Sequence, residues 1–329
     1  MKAVLMDGFG DAGVLHWGDA PEPEPGPGQV LIEVMATTVN HADISQREGK
    51  YPPPPGESEI LGLEVAGVVR EVGPGVERFG PGDRVMTLVA GGGYAEFACA
   101  YEGHLVRVPE ALSWEEAACV CETYVTAYLN LFMLGGLGDG DAVLLHGGGG
   151  GVNTAAIHLC RTLAPATRMV VTASPSKVER VRAMGAHHVV DYTAEEFAPA
   201  VRAFTGGRGV DVVLDHIGAA YLKGNLKAMV PGGRLVVIGL MGGLKAELNL
   251  ALLMVKRHTV VGSVLRSRPV PEKADIMAEF ERVVVPHFAA RRIVPLIDRV
   301  YPLREVAEAH RQMEASAHFG KLVLRVREG

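Results

Sequence analysis

Two stretches of the chain differ in the spacing of their apolar residues. Before about residue 122, short apolar runs are interrupted by glycine and proline; examples are 29–34, 63–69 and 83–86. Short runs with turn residues between them predict a β-rich, barrel-like domain. The proline-rich stretches 21–28 and 51–56 are predicted to be loops, because proline cannot donate to a central strand.

From about residue 140, apolar runs of strand length alternate with stretches of helical periodicity, which cover 155–163 and 177–184. The predicted strands of this region are 142–146, 169–173, 188–192, 210–215, 234–239 and 259–264. Strands that alternate with amphipathic helices indicate βαβ units and a parallel sheet covered on both faces. Six such strands match a doubly wound dinucleotide-binding fold.

The remainder returns to a mixed pattern, with predicted helices over 271–290 and 305–315 and predicted strands over 300–303 and 321–326. The expected fold class is therefore α/β, with a β-barrel domain and a doubly wound parallel sheet of six strands.

Composition narrows the class of protein. The 329 residues suggest about two domains. Lys and Arg total 32 against 38 Asp and Glu, and aromatic residues are only 6%, so this composition argues against nucleic-acid binding. Four cysteines in a chain that can build its own core fit a reducing compartment. No apolar run reaches membrane-spanning length and Asp7 interrupts the first one, so we expect a cytoplasmic protein without a signal peptide.

A glycine run, 147–151, lies between a predicted strand and a predicted helix. Glycines let the backbone approach a pyrophosphate, and the helix N-terminus presents free N–H groups to the anion. We therefore expect Gly150, Gly151 and Val152 to bind a dinucleotide. Asn153 stands where a G-x-G-x-x-G fingerprint would have its last glycine. It is expected to widen the helix–strand contact or to hydrogen-bond near the phosphates.

The end of the second strand indicates which dinucleotide is bound. The stretch 171–177 contains Ser174 and Lys177 but no carboxylate, which an NAD site would place near the ribose hydroxyls. Hydroxyls and a lysine suit a 2′-phosphate, so NADPH is favoured over NADH. The alternative is that Ser174 caps the following helix, with Pro175 at its first position.

Several motifs together resemble the medium-chain dehydrogenase/reductase superfamily, over nearly the whole chain. The most specific are 71–76 and 80–85, and the others are 40–43 with Arg47 and Gly49, 51–56, 147–156, 239–243 and 265–268. Within the superfamily the chain is similar to the zinc-independent quinone oxidoreductases, the ζ-crystallin-like branch. The resemblance implies a GroES-like domain over 1–123, a Rossmann domain over 124–267, and a segment over 268–329 that returns to the first domain. NADPH would lie in a cleft between the domains. A homodimer through Rossmann edge strands is implied too, with 259–264 as a candidate edge.

The resemblance also shows which residues of this chain stand at the zinc-ligand positions of zinc-dependent relatives. The cysteine ligand of zinc-dependent relatives falls near Asp43, and their histidine ligand falls at Leu63, beside Glu64. An apolar side chain cannot bind zinc, and the four-cysteine lobe of a structural zinc site is missing from the sequence. We expect no zinc, and a structural hydrogen bond or salt bridge for Glu64.

By resemblance, Asn40 and Tyr51 line the substrate pocket, where Asn40 could donate to a developing oxyanion and Tyr51 could stack on or hydrogen-bond the substrate. The alternatives are a turn or capping role for Asn40 and loop packing for Tyr51. Tyr192 resembles a position that contacts the adenosine phosphate end. Other residues at strand ends or motif positions are expected to border the dinucleotide, with core packing as the alternative for several: Thr126, Gly218, Gly239, Leu240, Met241, Ser263 and Leu265.

The expected activity is hydride transfer from NADPH to a small-molecule quinone, an electrophile that needs no metal. One alternative is an enoyl or enone reductase on the same scaffold, which benefits from a proton donor such as Tyr51. The other is a non-catalytic NADPH-binding protein.

Overall fold

The computed structural model describes residues 1–327, which form two compact units. The first unit contains Met1–Val125 and the chain from Leu265 onward, and the second contains Thr126–Val264. The predicted domain boundaries after residues 123 and 267 stay predictions. Residues 328 and 329, in the predicted C-terminal segment, lie outside the described residues.

The described strands and helices follow one another from residue 2 to residue 325. The strands are β1 (Lys2–Met6), β2 (Leu15–Asp19), β3 (Gln29–Val39), β4 (Glu64–Val72), β5 (Arg84–Leu88), β6 (Phe97–Tyr101), β7 (Leu105–Arg107), β8 (Ala142–His146), β9 (Arg168–Ala173), β10 (His188–Asp191), β11 (Val210–Asp215), β12 (Met229–Val237), β13 (Thr259–Gly262), β14 (Ile297–Pro302) and β15 (Lys321–Arg325). The α-helices are α1 (His41–Arg47), α2 (Trp114–Ala118), α3 (Cys121–Tyr128), α4 (Gly151–Leu163), α5 (Val178–Ala183), α6 (Phe197–Phe204), α7 (Leu222–Ala228), α8 (Leu250–Lys256), α9 (Val270–Val283), α10 (Val285–Ala289) and α11 (Val306–Glu314). Short 3-10 turns cover Ala12–Val14, Glu102–His104, Pro175–Lys177 and Leu303–Glu305, and a π-helical segment covers Leu129–Leu134.

The second unit is built on a parallel six-stranded sheet. Its strand order is β10-β9-β8-β11-β12-β13, the doubly wound order in which the first strand lies at the centre. Every residue of β8 is buried, as its continuous apolar run requires when helices cover both faces. The predicted α/β fold class with six parallel strands is confirmed.

The first unit contains a seven-stranded sheet and a two-stranded one. The large sheet has the order β14-β15-β3-β4-β5-β7, and β6 also pairs with β3; β1 and β2 form the small sheet. The strand β15 pairs antiparallel with β3 and parallel with β14. Residues 321–325 therefore lie inside a sheet in which strands β3 to β7 begin more than 200 positions earlier in the sequence. The predicted proline-rich loops at 21–28 and 51–56 carry no helix or strand.

None of the described helices has the length and apolar character that a membrane crossing requires.

Candidate functional site

The predicted cofactor residues of the second unit follow all six of its parallel strands. Because the carboxyl ends of parallel strands share one edge of the sheet, these positions lie along one edge, where doubly wound folds bind ligands. They are Gly150 to Val152 after β8, Ser174 after β9, Tyr192 after β10, Gly218 after β11, Gly239 to Met241 after β12, and Ser263 after β13.

The glycine loop after β8 has no room for side chains at its centre. Gly147 adopts a left-handed backbone with φ of 77°. A Cβ atom on Gly148 would lie 2.6 Å from Val171 Cγ1 and 2.8 Å from Val181 Cγ2, both in the core. Gly150 is the N-cap of the 13-residue helix α4, whose first N–H groups have no partner within the helix. The loop therefore has the form of a phosphate-binding turn.

Asn153 ties this turn to the helix. Its side chain is 1% exposed, and Nδ2 donates to the carbonyl of His146 and, at 3.1 Å, to that of Gly147. Its Oδ1 atom is buried without a hydrogen-bond partner among the described residues. The residue in the place of the expected glycine thus fixes the shape of the turn.

A buried polar chain beneath the loop was not predicted from the sequence. Asn225 Nδ2 donates to Asp215 Oδ2 at 3.0 Å, so Asn225 Oδ1 accepts from His146 Nε2 at 2.8 Å. Burial lowers the pKa of His146 to about 3, so its ring is neutral. Asp215 Oδ1 also accepts the backbone N–H of Gly218 at 3.2 Å. The chain therefore positions the loop after β11 relative to the loop after β8.

The other predicted cofactor positions differ in what surrounds them. Ser174 is half-buried and occupies the N-cap position of the turn Pro175–Lys177, but its side chain makes no capping hydrogen bond, and its Oγ lies 3.5 Å from Ser176 Oγ. Tyr192, Leu240 and Met241 are 46%, 49% and 59% exposed. The Ser263 hydroxyl is buried without a hydrogen-bond partner in the described part of the chain. An orphaned hydroxyl, an orphaned amide oxygen and a glycine turn together fit a polar, phosphate-bearing cofactor.

Two predicted cofactor residues lie elsewhere. Leu265 belongs to the first unit and is 8% exposed. Thr126, at the start of the second unit, uses its carbonyl to accept from Asn130 Nδ2 at 2.7 Å.

In the first unit, Asn40 makes hydrogen bonds through its side-chain oxygen, its side-chain nitrogen and its backbone N–H. Its Oδ1 accepts from Lys321 Nζ at 2.6 Å, and its Nδ2 donates to Glu64 Oε1 at 3.2 Å and to Thr38 Oγ1 at 3.4 Å. Its backbone N–H donates to Asp43 Oδ2 at 2.7 Å, where Asn40 begins α1. The capping alternative is present, and the amide is engaged in a buried network.

Glu64 is the centre of that network. It is 1% exposed, and Oε1 forms an ion pair with Lys321 Nζ at 2.9 Å and accepts from Thr38 Oγ1. Oε2 accepts the backbone N–H of Glu122 at 2.8 Å, so one carboxylate joins β4, β15 and the start of α3. The expected structural hydrogen bond and salt bridge are both observed.

Asp43 is committed to the fold as well. Its carboxylate accepts from the backbone N–H of Asn40, from that of Gly62 at 3.1 Å, and from Tyr94 Oη at 3.1 Å. Burial raises the pKa of Asp43 to about 6, against the opposing effect of these hydrogen bonds. Leu63 is buried and apolar. Within residues 1–327, no group of three or more His, Cys, Asp or Glu side chains is arranged to hold a metal ion.

Tyr51 lies on its loop beside Arg266. The guanidinium carbon is 5.2 Å from the centre of the Tyr51 ring, and Nη1 donates to the Tyr51 carbonyl at 3.4 Å. Arg266 is itself fixed by Ala90 O and Gln46 Oε1, both at 2.7 Å. Burial raises the pKa of Tyr51, and the charge of Glu122 adds to that effect. The arginine therefore anchors the predicted substrate-loop tyrosine by its ring and its backbone.

Comparisons with known proteins agree with this architecture. Two families match the chain: the alcohol dehydrogenase GroES-like domain over residues 26–110 and the zinc-binding dehydrogenase over residues 184–324. The rat synaptic vesicle membrane protein VAT-1 homolog is 34% identical over 98% of this chain and 84% of its own length. The chain is a medium-chain dehydrogenase/reductase.

Solved structures place it within the superfamily. A mycobacterial quinone oxidoreductase shares 30% identity over 99% of both chains, with a TM-score of 0.87. A mycobacterial protein complexed with NADPH also shares 30% identity with a TM-score of 0.87, over 99% of this chain and 100% of its own. The JamJ enoyl reductase shares 26% identity over 98% of both chains, with a TM-score of 0.89. This medium-chain reductase belongs to the quinone oxidoreductase-like branch, and both the GroES-like domain and the Rossmann-like sheet are confirmed.

The structure brings together residues that sequence reasoning treated separately or missed. Asn40 and Glu64 share the cation of Lys321, which the sequence showed only as part of a final strand. Glu122 was missed, although an acidic residue at position 122, in the middle of the apolar run 117–128, is a signal of a special environment. Arg266 entered only as part of a motif. The roles of the predicted site residues stay predictions.

Proposed function

We propose that this medium-chain reductase transfers hydride from NADPH to a quinone and does so without zinc. The observation that carries the proposal is the state of the two positions that resemble zinc ligands. The Asp43 carboxylate accepts hydrogen bonds from three donors within the fold, and the Leu63 side chain has no atom that could bind a metal. A substrate carbonyl would receive no Lewis acid from these residues, so an acceptor that is electron-poor by itself suits the site.

NADPH, when bound, supplies the hydride. The residues that fit it are the glycine turn at 147–151, the hydroxyl of Ser174 and the side chain of Lys177. The stretch 171–177 contains no carboxylate that would repel a 2′-phosphate. The structural similarity to a protein complexed with NADPH supports the same choice of cofactor.

The second candidate is reduction of a C=C bond conjugated to a carbonyl. The observation in its favour is a partly buried acid, Glu122, within the electrostatic reach of Tyr51. The similarity to an enoyl reductase agrees with it. Both candidates use the same hydride donor and differ in the acceptor.

The test is NADPH oxidation by the purified chain with naphthoquinones, small enones and enoyl thioesters. We expect naphthoquinones to give the highest kcat/KM, and activity to persist after treatment with a zinc chelator. Faster turnover of enones would favour the second candidate. Tight NADPH binding in calorimetry without turnover of any acceptor would show a non-catalytic NADPH-binding protein.

We also propose that two copies associate through β13. In the described residues β13 pairs on one side only, with β12, so its other edge has free backbone groups. Val260 on this strand is 39% exposed, and the preceding helix α8 exposes Leu250, Met254 and Val255 at 66%, 74% and 67%. A dimer mass in light scattering that becomes a monomer mass in Val260→Asp is the expected result. A monomer mass for the unmodified chain would contradict it.

A further inference from the structure

Glu122 is a partly buried carboxyl group that the fold positions but does not pair. It lies in the first turn of α3, and its backbone N–H donates to Glu64 Oε2 at 2.8 Å. Its side chain makes no hydrogen bond and no ion pair with any residue in the described range 1–327. The protein thus orders the backbone at this position and leaves the acid group unused.

In the described part of the chain, three cations act electrostatically on Glu122, and each has a hydrogen-bond acceptor of its own. Lys321 Nζ contacts Glu64 Oε1 at 2.9 Å and Asn40 Oδ1 at 2.6 Å. Arg266 donates to Ala90, Gln46 and Tyr51. Lys273 Nζ donates to the carbonyl of Arg266 at 3.2 Å. The positive charges near Glu122 are therefore committed to other acceptors.

The surroundings of Glu122 favour its neutral form. Burial and the charge of Glu64 raise the pKa of Glu122 to about 8, with Asp43 acting in the same direction and Lys321 and Arg266 opposing. Three other ionisable groups interact electrostatically with Glu122: Cys121 beside it in α3, Tyr51 on its loop and Lys273 in α9. At pH 7 the side chain is a carboxylic acid, which can donate a proton.

We propose that Glu122 is the acid that protonates the substrate once it has accepted hydride. This inference rests on the proposed function, because the step needs a reduced nicotinamide as hydride donor. It deepens that function by naming the proton source. Tyr51 is the weaker donor, because burial and Glu122 raise its pKa from a value that already starts at 10.0. Its ring, held beside Arg266, is left to position the substrate.

The step balances in atoms and electrons. The hydride leaves the reduced nicotinamide with its electron pair and forms a C–H or O–H bond on the acceptor. The acceptor becomes an oxyanion or enolate, and the O–H bond of Glu122 breaks as the proton moves to it. The substrate gains two electrons and two hydrogens, the nicotinamide is oxidised, and solvent returns a proton to the carboxylate. The charges of Lys321 and Arg266 favour the carboxylate form of Glu122 and so ease its transient negative charge.

The experiment compares the unmodified chain with Glu122→Gln and with Glu110→Gln, a control that removes an exposed carboxyl from a loop of the same unit. Direct titration comes first, by NMR of protein labelled with 13C at the glutamate carboxyl. We expect a signal whose chemical shift titrates with a pKa of about 8, missing in Glu122→Gln and retained in Glu110→Gln. A Glu122 signal that is already ionised at pH 7 would overturn the inference, whatever the activity.

Kinetic measurements then test the role of Glu122 separately from the overall reductase activity. With the acceptor class that the chain reduces, kcat of the unmodified chain should fall as pH rises through about 8. Glu122→Gln should lose about 10²–10⁴-fold in kcat and lose that pH dependence. Its NADPH affinity by calorimetry and its thermal unfolding should match those of Glu110→Gln. An unchanged pH profile in Glu122→Gln would refute the role of Glu122 as the acid and would leave the proposed function standing. NADPH binding without any turnover in the unmodified chain would refute the proposed function, and this inference with it.

Discussion

Replacement of Lys321 by Met tests the buried network around Glu64. The Lys321 and Glu64 side chains are 4% and 1% exposed, so the remaining carboxylate would be left in the interior without its cation. Asn40 Oδ1 would lose its donor at 2.6 Å as well. Removing one member of a buried ion pair costs about 3–5 kcal/mol of unfolding free energy, because the other charge stays desolvated.

The double variant Glu64→Gln with Lys321→Met should recover most of that loss. The glutamine oxygen can take the place of Oε2 and accept the Glu122 N–H, and the amide nitrogen can take the place of Oε1 and donate to Thr38 Oγ1. The glutamine side chain carries no charge that needs a cation. The expected coupling energy between the two substitutions is about 2–3 kcal/mol. The matched control is Lys50→Met, which breaks an ion pair with Glu48 in which the lysine is 72% exposed, at a cost of about 1 kcal/mol or less.

Urea unfolding at pH 7, followed by tryptophan fluorescence, measures the unfolding free energy of the first unit in each variant. The chain has two tryptophans, Trp17 and Trp114, and both belong to the first unit. Additive effects of the two substitutions, or a loss in Lys321→Met no larger than in Lys50→Met, would refute the electrostatic account of the network.

Three further predictions concern single residues. Lys177→Ala should weaken NADPH binding far more than NADH binding in calorimetry; equal losses would contradict the assignment of the 2′-phosphate site. Gly148→Ala should lower the free energy of unfolding by about 1–3 kcal/mol through overpacking against Val171 and Val181, whereas Gly150→Ala, where the new Cβ would lie 3.6 Å from Gly147 O, should cost less; equal Tm changes would argue against the clash. Burial lowers the pKa of His310 to about 3, so its contribution to stability is present above pH 6.5 and is lost as pH falls below it. Between pH 7 and 5 the unmodified chain should therefore lose about 2 kcal/mol more than His310→Gln in fluorescence-detected urea unfolding, and parallel losses would refute this.

The second unit was predicted well from the sequence because its strands are continuous apolar runs, such as 142–146 and 210–215. Their parallel pairing follows from the helices between them, and their common edge follows from the pairing. The glycine turn was predicted because it lies between an apolar run of strand length and a stretch of helical periodicity. The role of Asn153 could not be predicted, since its bonds to two carbonyls depend on the exact path of the turn.

The candidate site in the first unit was harder to predict. Glu64 and Lys321 are 257 positions apart, and nothing in the local pattern of either residue points to the other. Position 122 falls at the start of a helix, where an acidic residue is common for reasons of the helix dipole, so its place in an apolar run was a weak signal. The charged groups that act on Glu122 come from distant parts of the sequence and are identified only by the structure. The motif resemblance identified Asn40 and Tyr51 without showing what holds them.

The insertion of β15 between β14 and β3 has a consequence for biosynthesis. The ribosome delivers residues 29–107 long before β14 and β15, so β3 keeps an unpaired edge while the intervening 139-residue second unit emerges. The second unit, whose contacts are contiguous along the chain, can reach its native state during translation. The first unit then closes late, with apolar strand edges exposed in the interval, and this is the stage at which a chaperone would be most useful to a nascent chain.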